Sequence, residues 1–329
     1  MKFLHIIGAD LSKKTIDFAT PQGEHLKVTN DIKGFEDLVG WLSRKGIDLL
    51  EMMIVMEHTG LYSYHLEQFL YQQQIGFTKV PALAIKRSMG LVRGKNDKID
   101  AIRIARYGFE KRDQLVAAQP VNKTLQRLEV LYSTRDRLVR HRASLSTAEK
   151  LYEQSGRLNK KDLIIQSQLQ LIKSFDHQIL KLEKEIKALI EAAQDLKGNY
   201  ELLQSIHGVG KVVALAAMIK TRNFTKFTKA RKFACYCGTA PFENRSGTSL
   251  RGKTRVSHLA DKDMKTKLDL AAKSAIQNDK ELKAYYLKRT AAGKSKMSTI
   301  NIVRNKIIYR MFAIVKRQTP FVENYLKTA

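Results

Sequence analysis

The chain opens with Phe3-Leu4-His5-Ile6-Ile7-Gly8-Ala9-Asp10, a short apolar run that ends in an aspartate. After a polar turn comes Thr15-Ile16-Asp17-Phe18-Ala19, in which apolar and polar residues alternate with a period of two. The segment His25-Leu26-Lys27-Val28 repeats this alternation after the turn Pro21-Gln22-Gly23. Three short strands joined by tight turns predict an antiparallel meander at the start of the fold.

Helices and strands alternate after the meander. The pattern predicts helices over about 32–45, 62–74 and 97–108, and strands over 52–56 and 77–80. The resulting order is strand-strand-strand-helix-strand-helix-strand-helix, which is typical of a ribonuclease H-like (RuvC-like) domain with a mixed sheet. We therefore predict an α/β domain of this type over residues 1–115.

The pattern changes to long helices over residues 116–197. Apolar residues recur at alternating intervals of three and four, which is a heptad seam; they are Ile172, Phe175, Ile179, Leu182, Ile186 and Leu189. An upstream run repeats every seven residues and carries Arg135 and Arg142 at seam positions, and Ser155-Gly156-Arg157 separates the two runs. We predict a coiled-coil hairpin or dimerisation arm, and we expect the chain to self-associate.

The third region, residues 198–329, is predicted to be a mostly helical and very basic domain. A glycine-rich loop is expected over 238–252. The fold class is thus α/β plus all-α in three parts. At roughly 150 residues per domain, a chain of 329 residues suggests about two domains, which the helical arm would link.

The charge balance indicates a partner rich in phosphate. The chain has 59 Lys and Arg against 32 Asp and Glu, a net charge of +27, and neutralising phosphates releases condensed counterions. This excess argues against an acidic solvating protein and makes a small-metabolite enzyme a weaker hypothesis. The sequence shows no apolar run of membrane-spanning length, we expect no signal peptide, and the two cysteines suit a reducing compartment. We expect no membrane partner and a bacterial cytoplasmic location, at the nucleoid when the protein acts.

Four carboxylates are candidate catalytic and metal-binding residues. Asp10 and Glu57 each end a predicted strand, while Asp97 and Asp100 stand three apart at the start of a helix. In a ribonuclease H-like sheet the first and fourth strands are neighbours and the last helix crosses them, so the four would converge. Hard divalent cations relieve such a cluster, and Mg²⁺ is expected, with Mn²⁺ as an alternative.

Simpler interpretations of these carboxylates stay open. Asp97 could serve only as a helix N-cap, and Glu57 could be only an exposed strand end. Asp17 has no partner in the pattern, and we predict that it lies on the surface. The ordered combination of the other four nevertheless favours a functional cluster.

A second constellation predicts contact with nucleic-acid phosphates. Gly208 and Gly210 separate two helical segments in the arrangement of a helix-hairpin-helix, and Lys211 follows them. Such glycines let backbone N–H groups approach a phosphate closely. An ordinary helix–helix turn is the alternative.

The expected glycine-rich loop carries serines beside basic residues. Its Ser246 hydroxyl could attack or bind a phosphodiester, and Ser249 is the fallback nucleophile. The predicted phosphate contacts of this segment are Arg245, Arg251, Lys253 and Arg255. The alternative is a flexible loop that only grips a nucleic-acid backbone.

Together these motifs resemble those of insertion-sequence family 110 transposases and the related Piv-type DNA invertases. Asp10, Glu57 and Asn96-Asp97-Lys98-Ile99-Asp100-Ala101 are similar to the family's DEDD set. The Gly208/Gly210 hairpin and the loop Gly-Thr-Ala-Pro…Arg-Ser-Gly-Thr-Ser-x-Arg-Gly resemble its C-terminal transposase domain.

The resemblance implies more than the residues alone do. It implies DNA recombination guided by a bridge RNA, by homodimers that pair into tetramers. It also implies that Ser246 forms a covalent phosphoserine with DNA, while metal at the four carboxylates polarises the phosphate and stabilises the leaving oxygen.

Two other hypotheses remain at this point. One is a RuvC-like, structure-selective DNA endonuclease in which water attacks and Ser246 only binds phosphate. The other is a non-catalytic basic DNA- or RNA-binding protein whose carboxylates are structural.

Overall fold

The computed structural model describes residues 3–58, 60–88, 96–120, 122–246 and 250–323, without the side chains of 244–246 and 250–254. The chain divides into two compact units, Met1–Pro120 and Val121–Ala329. The first unit is α/β, and the second is mainly helical.

The first unit is built on a five-stranded mixed sheet. Its strands are β1 His5–Leu11, β2 Thr15–Ala19, β3 His25–Thr29, β4 Met52–Glu57 and β5 Gly76–Val80, in the spatial order β3-β2-β1-β4-β5. The first three form an antiparallel meander, and β1, β4 and β5 run parallel. The predicted meander and the predicted neighbourhood of the first and fourth strands are both confirmed.

Four α-helices connect or cover these strands in the described part of the unit. They are α1 Ile32–Arg44, α2 Tyr64–Gln72, α3 Ala82–Ser88 and α4 Asp97–Glu110, and a 3₁₀ turn, Gly60–Ser63, precedes α2. The sequence pattern predicted α1, α2 and α4 in this order but missed α3.

The two faces of the sheet bury different residues because side chains alternate along each strand. Phe18, Ile54 and Phe77 lie on the face that packs against Phe35 and Leu38 of α1. The opposite face forms a smaller apolar cluster with α4, which includes Ile6, Met53, Val55 and Ile104. The strand β4 is buried on both faces, which explains its unbroken run of apolar residues.

Two glycines bring α4 unusually close to the sheet. A Cβ atom on Gly8 of β1 would lie 2.2 Å from the Ala101 carbonyl oxygen and 2.3 Å from the Ala105 nitrogen. A Cβ on Gly108 of α4 would lie 2.6 Å from a methyl group of Val55. Because neither site has room for a side chain, the helix backbone rests directly on the strands.

The second unit begins with a long helical hairpin. The helices α5, Lys123–Gln154, and α6, Leu163–Ala192, are separated by the predicted break and pack against each other. Three ion pairs cross between them: Arg127 with Glu185 at 2.6 Å, Arg135 with Glu183 at 2.8 Å, and Arg142 with Asp176. The two seam arginines thus reach acidic residues on the facing helix, and Ile179 and Ile186 of the predicted seam are buried.

The remaining helices enclose the largest hydrophobic core. They are α7 Gln194–Gln204, α8 Lys211–Thr221, α9 Ala230–Tyr236, α10 Lys262–Asn278, α11 Lys280–Ala291 and α12 Lys296–Arg317. The helix α8 is central, since every residue from Ala214 to Ile219 is buried. No helix in the described ranges is long and apolar enough to cross a membrane.

The predicted glycine-rich loop over 238–252 is wrong for most of its length. The structure has an antiparallel hairpin there, β6 Pro241–Ser246 and β7 Leu250–Val256, with an irregular register between Phe242 and Asn244. The period-two alternation Leu250-Arg-Gly-Lys-Thr-Arg-Val256 suits a strand, despite its glycine. Residues 247–249 lie outside the described residues.

Candidate active site

A row of charged residues crosses the sheet on the face covered by α4. Asp10 of β1 is the register partner of Asp17 of β2, and Asp17 is the register partner of Lys27 of β3. Residues opposite each other in adjacent strands project to the same face. The row therefore places two carboxylates and one ammonium group side by side.

Glu57 extends this row on the other side of Asp10. In the parallel pair β1–β4, Ala9 is the partner of Met56, and Asp10 and Glu57 are the next residues along their strands. Met53 and Val55, four and two positions before Glu57, belong to the cluster beneath α4. Glu57 therefore shares the α4 face with Asp10, as the sequence predicted.

The other two predicted carboxylates, Asp97 and Asp100, lie on helix α4. Its N-cap is Asn96, whose side chain accepts a hydrogen bond of 2.7 Å from the Ile99 N–H. The alternative that Asp97 is the N-cap is therefore wrong. Asp97 and Asp100 lie in the first turn of α4, where negative charge interacts favourably with the helix dipole.

Basic side chains pair with both carboxylates of this turn. The Lys27 ammonium lies 3.8 Å from an Asp97 oxygen and 3.4 Å from an Asp17 oxygen. Arg103 donates a hydrogen bond of 2.8 Å to Asp100. Among the described residues, no ion pair links Asp10 or Glu57 to a basic side chain.

The electrostatics of the site converge on Asp10. Burial and the neighbouring charges of Asp100, Asp97, Glu57 and Asp17 raise its pKa from 3.8 to about 6. The structure thus places the other three predicted carboxylates close enough to Asp10 to disfavour its ionisation. A carboxyl group with this pKa is mostly ionised at pH 7, and a cation nearby would offset the repulsion that its charge meets.

Asp17 is the functional candidate that the sequence interpretation missed. The prediction that it lies on the surface is wrong: only 3% of the residue is exposed. His25 Nε2 lies 2.7 Å from its carboxylate, and Asp17 also contributes to the raised pKa of Asp10. The position of the Lys13-Lys14 turn could have revealed this residue, because Asp10 and Asp17 are equally distant from the turn and are therefore opposite each other in the hairpin.

The donor set of the cluster fits a hard divalent cation in kind, since every predicted ligand offers carboxylate oxygens. The raised pKa of Asp10 also shows that a cation would relieve repulsion at this position. In the described ranges, however, no three His, Cys, Asp or Glu side chains already stand close enough to hold a metal ion. Binding therefore requires adjustment of these side chains.

The predicted phosphate-binding glycines lie between α7 and α8. Gly208 has a φ of +87°, and a Cβ there would lie 2.3 Å from the Ala271 carbonyl oxygen of α10. Glycine at this position is thus explained by packing alone. Gly210 is the N-cap of α8 and has open space around it, and Lys211 is exposed at the first helical position.

The predicted serine nucleophile lies in the β6–β7 hairpin. Ser246 is the last residue of β6 and pairs in register with Leu250, and Arg245 pairs with Arg251. Arg255 is exposed. The structure does not describe the side chains of Arg245, Ser246, Arg251 and Lys253, and the fallback nucleophile Ser249 lies outside the described residues.

Two family models match the chain at these sites. The model DEDD_Tnp_IS110, described as a transposase, matches residues 7–150, which include all four predicted carboxylates. A second model, described as the transposase IS116/IS110/IS902 family, matches residues 200–287, which include the glycine pair and the serine hairpin. The chain belongs to the IS110 family of transposases. It is therefore a DNA transposase or recombinase, as the sequence motifs predicted.

Named relatives of this IS110-family protein include DNA invertases. The "Pilin gene-inverting protein" of Moraxella bovis is 25% identical over 96% of this chain and 97% of its own length, and that of Moraxella lacunata has the same values. The "Insertion element IS110 uncharacterized 43.6 kDa protein" of Streptomyces coelicolor is 27% identical over 48% of this chain and 38% of its own length. The similarity to the inverting proteins thus spans both units of the fold.

Proposed function

We propose that this IS110-family protein cuts and rejoins DNA strands with two groups of residues, a carboxylate cluster and a serine. The observation that carries the proposal is the raised pKa of Asp10 among four other carboxylates. Strongly perturbed pKa values are common at catalytic sites, where charge is held ready for a cation or a proton. A purely structural role gives no reason to place so many like charges on one face of the sheet.

In this proposal Asp10, Glu57, Asp97 and Asp100 hold Mg²⁺, with Mn²⁺ as an alternative. The bound ion would polarise the scissile phosphate and stabilise the leaving oxygen. The order of the strands and the position of α4 over β1 agree with a ribonuclease H-like, RuvC-like domain, in which these residues would act together. Arg103 and Lys27 would limit the negative charge of the cluster before DNA binds.

Ser246 is proposed as the nucleophile. Its hydroxyl oxygen would attack the phosphorus and form a phosphoserine ester, while the bond to one deoxyribose oxygen breaks and that oxygen takes up a proton. Attack by the released hydroxyl of another strand would reverse the step and regenerate the serine. This exchange conserves one phosphodiester bond per cycle and needs no energy-rich cofactor, which suits strand inversion or insertion.

The basic residues of the second unit are proposed to bind the nucleic-acid backbone. Arg251, Lys253 and Arg255 occupy alternate positions of β7, and alternate residues of a strand share a face. Such a face would present positive charge to successive phosphates, together with Arg245 of β6. The turn at Gly208 and Gly210 with Lys211 would act as a helix-hairpin-helix at a further phosphate.

The partners proposed are DNA, a bridge RNA and further copies of the chain. A net charge of +27 is sufficient for contacts to both nucleic acids. If base pairing with the RNA selects the DNA site, the protein itself needs to read only backbone and shape. A homodimer that pairs into a tetramer, acting in the bacterial cytoplasm, would supply one active site for each strand exchanged.

Detection of a covalent protein–DNA adduct on a denaturing gel tests the reaction. Purified protein is incubated with Mg²⁺, the RNA transcribed from the flanking DNA, and a labelled duplex that carries the element's end. We expect an adduct that Ser246→Ala and Asp10→Asn abolish and that Ser249→Ala retains. Nucleic-acid affinity of the Ser246→Ala variant should match that of the original protein, which excludes a loss of binding as the cause.

The other outcomes separate the alternatives. An adduct that survives Ser246→Ala but is lost in Ser249→Ala would transfer the role to the second serine. Cleavage to free ends without an adduct would identify a water-using endonuclease. Binding without cleavage, unchanged by Asp10→Asn and weakened by salt alone, would indicate a nucleic-acid-binding protein with structural carboxylates.

A further inference from the structure

We propose that Lys27 is a positioning residue that holds the Asp97 carboxylate in the cluster. Lys27 belongs to β3, at the end of the charged row, and no sequence motif marks it. This inference rests on the proposed metal-binding role of the carboxylates. It adds Lys27 and Asp17 as the residues that support Asp97.

The anchor of Lys27 is the buried carboxylate of Asp17. The Asp17 side chain is 4% exposed and lies 3.4 Å from the Lys27 ammonium. A buried carboxylate is costly to keep charged unless it is paired, so Asp17 restricts where the ammonium group can go. His25 Nε2 lies 2.7 Å from the same carboxylate, within hydrogen-bonding distance.

The Asp97 side chain, in contrast, has little else to hold it. It is 63% exposed, and Lys27 at 3.8 Å is its one ion-pair partner among the described residues. The middle of α4 is fixed separately, since the Arg106 side chain donates a hydrogen bond of 3.2 Å to the Pro21 carbonyl. Lys27 thus adds an ion pair between the first turn of α4 and the meander.

The ion pairs of Lys27 with Asp17 and Asp97 could affect metal binding in two opposite ways. An ion pair between exposed side chains adds little to stability, and a positive charge near the cluster repels a divalent cation. If repulsion dominated, removal of the charge would strengthen metal binding. If positioning dominates, as we propose, removal weakens it, because Asp97 must then be ordered at the moment of binding.

Titration of the full-length protein with Mn²⁺, followed by electron paramagnetic resonance, separates these effects by sign. Supporting residues around metal ligands typically change affinity about 10- to 100-fold, and we expect about tenfold weaker binding for Lys27→Met. Lys27→Arg keeps the charge and should restore most of the affinity. Lys45→Met is the matched control, because Lys45, the C-cap residue of α1, forms an ion pair of 2.5 Å with Glu24 in the same unit, and Glu24 is not one of the cluster carboxylates. Its affinity should be unchanged.

A second measurement does not depend on the metal. Hydrogen exchange of the backbone amides in the first turn of α4, without added metal, should be faster in Lys27→Met than in Lys45→Met. Unchanged exchange, or Mn²⁺ binding that is equal or tighter in Lys27→Met, would overturn the inference. If the original protein binds no Mn²⁺, or Asp10→Asn leaves binding unaffected, the metal proposal itself fails, and the exchange experiment alone decides the role of Lys27.

Discussion

Replacement of Gly8 by alanine tests whether the close approach of α4 builds the carboxylate cluster. The new Cβ would lie 2.2 Å from the Ala101 carbonyl oxygen, whereas carbon–oxygen contacts are normally no closer than about 3.3 Å. The helix backbone must therefore retreat by about 1 Å. Overpacking of a tight core costs about 1–3 kcal/mol. We expect the upper end of this range, because both clashing atoms belong to helix backbone.

The same change should alter the titration of Asp10, which follows Gly8 by two residues on β1. When α4 retreats, water gains access to the Asp10 carboxyl, and the charges of Asp100 and Asp97 move away from it. Both effects lower its pKa from about 6 towards the ordinary value of 3.8. Because both causes act in the same direction, the pKa of Asp10 should fall.

Urea denaturation followed by circular dichroism measures the stability loss, and carbon-13 NMR titration of labelled aspartates measures the pKa. Gly40→Ala in α1 is the control, since its Cβ would meet only Arg44 at an ordinary distance of 3.6 Å. Alanine stabilises a helix interior by up to about 1 kcal/mol relative to glycine, so the control should not lose stability. A Gly8→Ala protein with the stability and the Asp10 pKa of the original would refute the reasoning.

Three further predictions concern stability. Asp10→Asn should stabilise the protein at neutral pH: the rise in pKa to about 6 corresponds to at most about 3 kcal/mol, and solvent screening of this half-buried group reduces our expectation to about 1 kcal/mol. Because the folded protein binds the Asp10 proton more tightly than the unfolded chain does, this advantage should be absent below pH 3.8, grow as pH rises to about 6 and stay constant above it, which denaturation at several pH values would show. Asp279→Asn should lower the free energy of unfolding by about 1.5–3 kcal/mol at pH 7, since the buried carboxylate accepts a charged hydrogen bond from Arg310. Burial opposes ionisation of Asp279, but its hydrogen bonds hold its pKa below the ordinary value. In urea denaturation, the stability difference between the variant and the original protein should therefore disappear as pH falls through that lowered pKa. Gly208→Ala would place a side chain at a φ of +87° and at 2.3 Å from a backbone oxygen. The free energy of unfolding should fall by about 1–3 kcal/mol, and the thermal midpoint should fall with it. An unchanged midpoint would contradict the packing role of this glycine.

The strands and helices that form the carboxylate site could be predicted because local patterns specify them. Apolar runs and period-two alternation mark β1, β2, β3 and β4, and apolar residues spaced three to four apart mark α4. The four predicted carboxylates stand at the ends of these elements, so the order of the elements was enough to bring them together.

The residues that the sequence did not reveal depend on register and on long-range packing. Whether Asp17 faces solvent or α4 is decided by which residues pair between β1 and β2, and a shift of one residue would reverse it. Lys27 acquires its role only through the same register. The β6–β7 hairpin was missed because its glycines and serines suggest a loop, while its alternation is spread over two strands of mixed polarity.

The charged row also determines when the site can first exist during synthesis. Its members come from four strands between His5 and Glu57, and the carboxylates that complete it lie on α4, which ends at Glu110. A nascent chain on the ribosome therefore carries an incomplete cluster until α4 has left the exit tunnel. Since the basic second unit follows only after Pro120, the carboxylate site can be complete before the residues proposed to bind DNA have been made.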